Sequence, residues 1–329
     1  MITDIHCHYV PDQFFKFARA RPEFAITIKR QEGDAIDLDI RGMHFGLNTT
    51  FFQMEKQLER MQRDGVERAM LSQATPFIDY HLDAALAVEA AIVFNDGLAA
   101  AIAPDRTRFG GWALLPMQDP EAAAKELRRC VQNHGFIGGH IASNVRGDYL
   151  NDIRFTPIVQ AAIDLDVPLF VHPADPLGKD RTRDYELTIV AGYLFDSTIN
   201  ILKMICSGFL DRWPTLKLVC AHGGAFSPAL RARMQREVDT NPSLKRTLTK
   251  PVGDYLRQLY VDSICFEPAM LRYVTEVIPA EQIMLGSDAP FPLGEPNPVT
   301  FVRNALPAAQ AKLVLESNFQ RLIGGVRRI

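Results

Sequence analysis

The sequence predicts a (β/α)8 barrel, and three observations predict it. Short apolar runs recur along the 329 residues, the segments between them carry helical periodicity, and no Pro/Ser/Gly-rich linker divides the chain. The runs are Ile2 to His8, Val66 to Ser72, Phe109 to Leu115, Phe136 to Ser143, Val167 to His172, Leu216 to His222, Leu259 to Ile264 and Ile283 to Asp288. Each is short, apolar and rich in β-branched or aromatic residues, the pattern of a strand buried on both faces of a parallel sheet.

Between the runs the periodicity changes to that of helices: Phe52 to Asp64, Tyr80 to Ala103, Pro120 to Asn133, Asp152 to Asp164, Tyr185 to Arg212, Ser227 to Asp239, Pro268 to Val277 and Pro307 to Ile323. Gly65 and Gly135 follow two of these segments, where a left-handed C-cap is expected. One region departs from the rhythm. Phe24 to Lys29 and Ala35 to Ile40 alternate apolar and polar residues about Glu32-Gly33-Asp34, which predicts a β-hairpin. We therefore expect a single domain over 1–329 with an insertion at about 9–50, leaving the first strand at the end that carries the active-site loops in barrels.

Composition narrows the function. A 47% hydrophobic chain buries a sizeable core, and 36 basic against 39 acidic residues leave a net charge of only −3. No basic patch exists to hold nucleic acid or an anionic membrane. The most apolar stretch, Leu82 to Ala103, is broken by Glu89, Asn95, Asp96 and Gly97, so no membrane span is expected. No basic and apolar leader opens the chain, and the five scattered cysteines lack a C-x-x-C spacing. The expectation is a cytoplasmic protein with reduced thiols and small molecules, or copies of itself, as partners.

Of the eight histidines, His6, His8, His172 and His222 stand at or near the C-terminal end of a predicted strand, and Asp288 closes the eighth. Side chains alternate along a strand, so His6 and His8 share a face that Cys7 does not. A lone strand-end histidine is usually a hydrogen-bonded core residue. Five such residues on one barrel rim are a different matter, because imidazoles and a carboxylate converging there form a site for a divalent cation of the zinc type. His44, His81, His134 and His140 lack that placement and are read as surface or structural residues, with His140, inside the fourth run, the least settled.

Four segments carry a resemblance: Asp4-Ile5-His6-Cys7-His8, Phe170-Val171-His172-Pro173, Ala221-His222-Gly223-Gly224-Ala225-Phe226, and Leu285 to Glu295, with its Pro-Phe-Pro-Leu-Gly-Glu tail. The chain resembles the amidohydrolase superfamily, and within it the decarboxylase branch. The resemblance implies a (β/α)8 barrel holding one divalent metal ion, Zn2+ by family habit with Mn2+ or Co2+ as alternatives, at positions matching His6, His8, His172 and Asp288. It implies an acid/base at His222, close to a water on the metal, and a catalytic part for Asp288. It also implies a homodimer in which an arginine of the partner helps bind a substrate carboxylate.

The arginines of the branch have no clean counterpart here. Arg41 and, on the helix after the His-Gly-Gly motif, Arg231, Arg233 and Arg236 are the nearby cations, and Arg41 and Arg233 are taken as substrate-binding candidates with Phe291, which could stack on a planar substrate. The expected activity is non-oxidative decarboxylation of a small aromatic or conjugated carboxylic acid. Hydrolysis of a lactone, amide or imine would use the same residues, and a non-catalytic binding barrel is the third reading.

Overall fold

The computed structural model describes residues 1–324. Eight parallel strands form one sheet in the order β1 (Thr3–Tyr9), β5 (Arg68–Gln73), β6 (Phe109–Leu114), β7 (Gly138–Ala142), β8 (Leu169–His172), β9 (Leu218–Cys220), β10 (Tyr260–Asp262) and β11 (Ile283–Met284). All eight predicted strands are present. The last is shorter than its apolar run, yet the chain beyond it follows β1 closely: Ile5 N donates to Leu285 O (2.9 Å), Asp288 N to His6 O (2.8 Å) and His8 N to Ala289 O (2.7 Å). Those bonds close the sheet into a barrel, with helices outside it, as the apolar periodicity required.

The barrel is filled rather than hollow. Ile5, Met70, Trp112, Phe170, Val219 and Met284 pack inside it, and Phe319 and Leu322 of the helix Asn318–Leu322 join them. Trp112 satisfies its indole by donating to Ile5 O at 2.9 Å. Burial of each large side chain here is worth roughly 1.5–3 kcal/mol. A second, larger core lies between the strands and the outer helices. Gly65 and Gly135 adopt the left-handed conformation expected of them, at φ 71° and 67°.

The insertion holds more than the predicted hairpin. A helix, Asp12–Arg19, follows β1, and the hairpin strands β2 (Ile26–Glu32) and β3 (Ala35–Ile40) are joined by a third, β4 (Met43–Asn48), in an antiparallel sheet. Met43-His44-Phe45-Gly46-Leu47-Asn48 is too polar and glycine-broken to read as a strand alone. It is fixed by pairing along the whole of β3.

Two helical stretches, Ala84–Asp105 and Asp184–Cys206, are long and apolar enough to cross a membrane by length and composition, contrary to the expectation that none would be. In the first, Ala87, Ala91, Phe94, Leu98 and Ile102 are buried against the rest of the molecule. The second is interrupted at Tyr185, where φ is 58°. Its regular part is the helix Tyr193–Cys206.

Candidate metal centre and active site

The site is built from strand ends. The pairing of β1 with β5 slips between Asp4 and Cys7, a bulge that inserts an extra residue. Strict alternation would put Asp4 on the face of His6 and His8. Instead its carboxylate lies among Arg60 Nη1 (3.2 Å), Ser287 Oγ (2.6 Å) and Ser287 N (3.2 Å), tying β1 to the eighth strand end from outside the cluster.

The five predicted residues come together. One ligand-type atom from each of His6, His172, His222 and Asp288 lies within 4.8 Å of the others. Asp288 Oδ1 stands 3.2 Å from His6 Nε2, 2.8 Å from His8 Nε2 and 3.8 Å from His172 Nε2, and Asp288 Oδ2 is 3.6 Å from His222 Nε2. His222 and Asp288 both sit in the left-handed region at φ 58° and 59°, a strained conformation for residues with a Cβ, of the kind that concentrates at functional sites.

The outward nitrogens explain how the rings are aimed. His6 Nδ1 donates to Asp262 Oδ2 (2.7 Å), His8 Nδ1 to Gln73 O (3.1 Å) and His172 Nδ1 to Pro173 O (2.8 Å). An oxygen acceptor on each Nδ1 fixes the hydrogen there and turns the Nε2 lone pair inward. His6 Nε2 and His172 Nε2 are buried without a hydrogen-bond partner, which is costly unless something electropositive meets them. Three imidazoles so oriented and a carboxylate fit a divalent cation.

Electrostatics agree with that fit. Burial works to lower the pKa of His6, but Asp288 and Asp262 outweigh it and raise it to about 10. Burial lowers His172 to about 3, helped by the charges of His6, His222 and His8, and also lowers His8. Burial opposes ionisation of Asp288 and Asp262, yet the neighbouring histidines hold both below the usual carboxylate range. Two ionised carboxylates therefore face one imidazolium, a net negative cluster in which a bound cation would take the place of the His6 proton.

Asp262 is a site residue that the sequence reading passed over. Besides His6, its carboxylate accepts from His222 N (2.9 Å), Gly223 N (2.9 Å) and Ile264 N (3.1 Å). The available signal was an acid inside the otherwise apolar run Leu259 to Ile264. Gly286 makes the approach possible, since a Cβ there would meet Asp262 Cβ at 2.8 Å and His6 Cβ at 3.1 Å.

The substrate-binding candidates fare differently. Phe291 lines the cavity above the cluster, its ring 5.0 Å from that of His8 and 4.8 Å from that of Phe51. Arg41 and Arg233 do not line it. Arg41 is held by Asp79 Oδ2 (2.8 Å) and Pro76 O (3.1 Å), and Arg233 is exposed on the helix Ser227–Thr240. Helix periodicity alone could not say which way Arg233 faced, and Arg41 lies in the turn between β3 and β4, which periodicity does not describe. Of the remaining histidines, His44 is exposed, and β4 carries it to the edge of the cavity. His81 and His134 pair with Asp175 and Asp96, and His140 is buried with its ring stacked 5.3 Å from Phe170.

A barrel whose strand ends gather histidines and an aspartate defines a metal-dependent enzyme class, and the chain belongs to the amidohydrolase family, whose model matches residues 3–324. Several of its relatives are named decarboxylases. It is 30% identical to the 2-amino-3-carboxymuconate-6-semialdehyde decarboxylase of Dictyostelium discoideum over 85% of this chain and 76% of that protein. It is also 30% identical to the gamma-resorcylate decarboxylase of Polaromonas sp. strain JS666, over 72% and 77%. A crystal structure of dihydroxybenzoic acid decarboxylase from Polaromonas sp. JS666, with bound manganese and the inhibitor 2-nitroresorcinol, matches with a TM-score of 0.79 at 25% identity, covering 100% of this chain and 98% of that one.

Proposed function

We propose that the protein is a metal-dependent carboxy-lyase that removes carbon dioxide, without oxidation, from a small aromatic or conjugated carboxylic acid. The observation that carries this reading is the set of inward Nε2 atoms of His6, His8 and His172 facing Asp288, each ring locked by an oxygen at Nδ1. His6, His8, His172 and Asp288 would hold a divalent cation, which when bound would supply Lewis-acid polarisation of a substrate oxygen. Zinc is the ion we assign, because imidazole predominates in the donor set, and manganese or cobalt is the alternative.

The chain's own residues supply binding and proton transfer. Phe291 offers a ring edge against a planar substrate. His222 is the acid/base: its Nε2 faces Asp288, and its Nδ1 is buried without a partner. A proton delivered by His222 to the carbon bearing the carboxylate lets the carbon–carbon bond break, its electron pair returning to the conjugated system as carbon dioxide leaves. Burial of His6, His8 and Asp262 keeps water from competing for their hydrogen bonds.

We infer that the working form is a homodimer. Tyr185, Leu187, Phe195 and Ile199 expose apolar surface along one segment, the kind of face that a second copy covers. Sedimentation equilibrium tests this: a monomer at micromolar concentration rejects it. We assign the protein to the cytoplasm, which suits cysteines that are all free among the described residues, and subcellular fractionation is the check.

The deciding experiment incubates the metal-loaded protein with phenolic, pyridine and muconate-type acids and traps the gas. Release of carbon dioxide, one per acid consumed, is expected. Uptake of water with no carbon lost would replace this reading with hydrolysis.

A further inference from the structure

The helix Met54–Asp64 lies outside the barrel, and what it buries there is mostly polar. Its buried side chains are Gln57, Arg60, Met61 and Asp64, so only one of the four is apolar. A helix covering a barrel ordinarily turns an apolar stripe inward, and a buried arginine adds little stability over a well-packed apolar side chain. Arg60 Nη2 is even left without a hydrogen-bond partner, which costs stability. Packing alone does not account for these residues.

Their partners do. Gln57 Nε2 donates to His8 O (2.9 Å) and Thr50 O (3.0 Å), and Gln57 Oε1 accepts from Arg60 Nε (3.1 Å). Arg60 Nη1 donates to Asp4 Oδ2 (3.2 Å). Asp4 Oδ1 accepts from His6 N (3.1 Å) and Ser287 N (3.2 Å), and Asp4 Oδ2 accepts from Ser287 Oγ (2.6 Å). Ser287 Oγ in turn accepts from Ala289 N (3.1 Å). This chain of bonds reaches the backbones of His6 and His8 and of both neighbours of Asp288. Gln57, Asp4 and Ser287 are fully buried and Arg60 is 3% exposed, so water does not compete for it.

The backbones so held are ones that regular strand pairing does not fix. His6 lies where the pairing of β1 with β5 slips, and Asp288 has a φ of 59°. A strained backbone persists only where its surroundings over-determine it.

We propose that Gln57 and Arg60 are positioning residues of the metal centre. From the outer helix they hold the backbones of His6, His8 and Asp288 in place, Gln57 directly and Arg60 through Asp4 and Ser287, so that the ligand atoms of all three meet at one point. Neither residue lines the cavity above the cluster. The inference rests on the metal centre proposed above and deepens it.

The test uses the full-length protein, stripped of metal and titrated with Co2+. Affinity is read by competition with a chromogenic chelator, coordination geometry by the visible ligand-field bands of cobalt, and stability of the metal-free protein by its urea midpoint. Gln57→Leu and Arg60→Met are each expected to weaken cobalt binding about tenfold or more and to alter the bands. Arg60→Lys keeps a cation beside Asp4 and is expected to weaken it less. The double variant should lose less than the product of the two single losses, because both residues belong to one chain of bonds. Met61→Ala is the control: it removes buried packing from the same helix, so it should lower the urea midpoint and leave affinity and bands as in the wild type. Should Arg60→Met not fold, Gln57→Leu and Arg60→Lys decide by the same readouts. Variants that lower the urea midpoint alone, as Met61→Ala does, overturn the inference and leave the metal centre standing. A wild-type protein that takes up no divalent ion removes the metal centre itself, and this inference with it.

Discussion

Asp262 Oδ2 accepts from His6 Nδ1 at 2.7 Å across 256 residues of chain, and the same oxygen accepts from the backbone of His222 at 2.9 Å. One buried carboxylate thus aims a ring of the proposed metal centre and holds the turn that presents the proposed acid/base. Its second oxygen is filled by Gly223 N and Ile264 N. Every partner is a donor, so only a group that accepts at both oxygens satisfies them.

Asp262→Asn introduces an amide N–H among those donors. We expect metal affinity to fall about 10- to 100-fold, measured by competition with a chromogenic chelator. Unchanged affinity would assign Asp262 a structural part only.

His222→Asn is expected to keep metal content near that of the wild type while reducing turnover about a hundredfold or more. Asp288→Ala is expected to lose metal, activity or both. Elemental analysis beside the rate assay separates the two roles, and a fully loaded, fully active Asp288→Ala protein contradicts its place at the ion.

Gly286→Ala places a methyl 2.8 Å from Asp262 Cβ and 3.1 Å from His6 Cβ. Overpacking of this kind costs about 1–3 kcal/mol, read as a lower urea midpoint, and it should weaken metal binding because it pushes on His6 and its partner together.

Tyr193 lines the cavity, and burial pushes its phenol up to about 12. The hydroxyl therefore stays a neutral donor through the neutral and mildly alkaline range. Tyr193→Phe is expected to raise KM about three- to tenfold with a smaller change in kcat, as for one lost hydrogen bond. Its sign in pH follows: removing Tyr193 leaves any alkaline limb below pH 10 where it was.

Chelation is expected to destabilise the fold as well as inactivate it. An ion present at about a thousandfold over its Kd stabilises by about 4 kcal/mol, so its removal should lower Tm by several degrees, and restoring zinc should recover it. A Tm indifferent to chelator would mean that His6 and His172 satisfy their buried nitrogens without metal.

Local chemistry made much of this legible. The eight strands follow from runs such as Val167 to His172, whose burial on both faces demands apolar residues regardless of context. His6 and His8 are readable as a pair because alternation is a property of the backbone itself. The strand β4 was not legible, since His44, Gly46 and Asn48 are strand residues only because β3 pairs with them. Nor was the face of Arg41, which Asp79 and Pro76 decide.

What the sequence determined by itself was the barrel and the identities of five residues on its rim, because strand ends in such a barrel must converge whatever the loops do. Only the tertiary structure decided how those residues are held and what they face. Asp262 reaches His6, Asp4 is turned aside by a bulge, and Phe291 meets His8 and Phe51 above the cluster, all through contacts between segments far apart in the chain. Backbone periodicity acts over a few residues and can be read from them, whereas which distant side chain meets a given nitrogen depends on the packing of the whole chain.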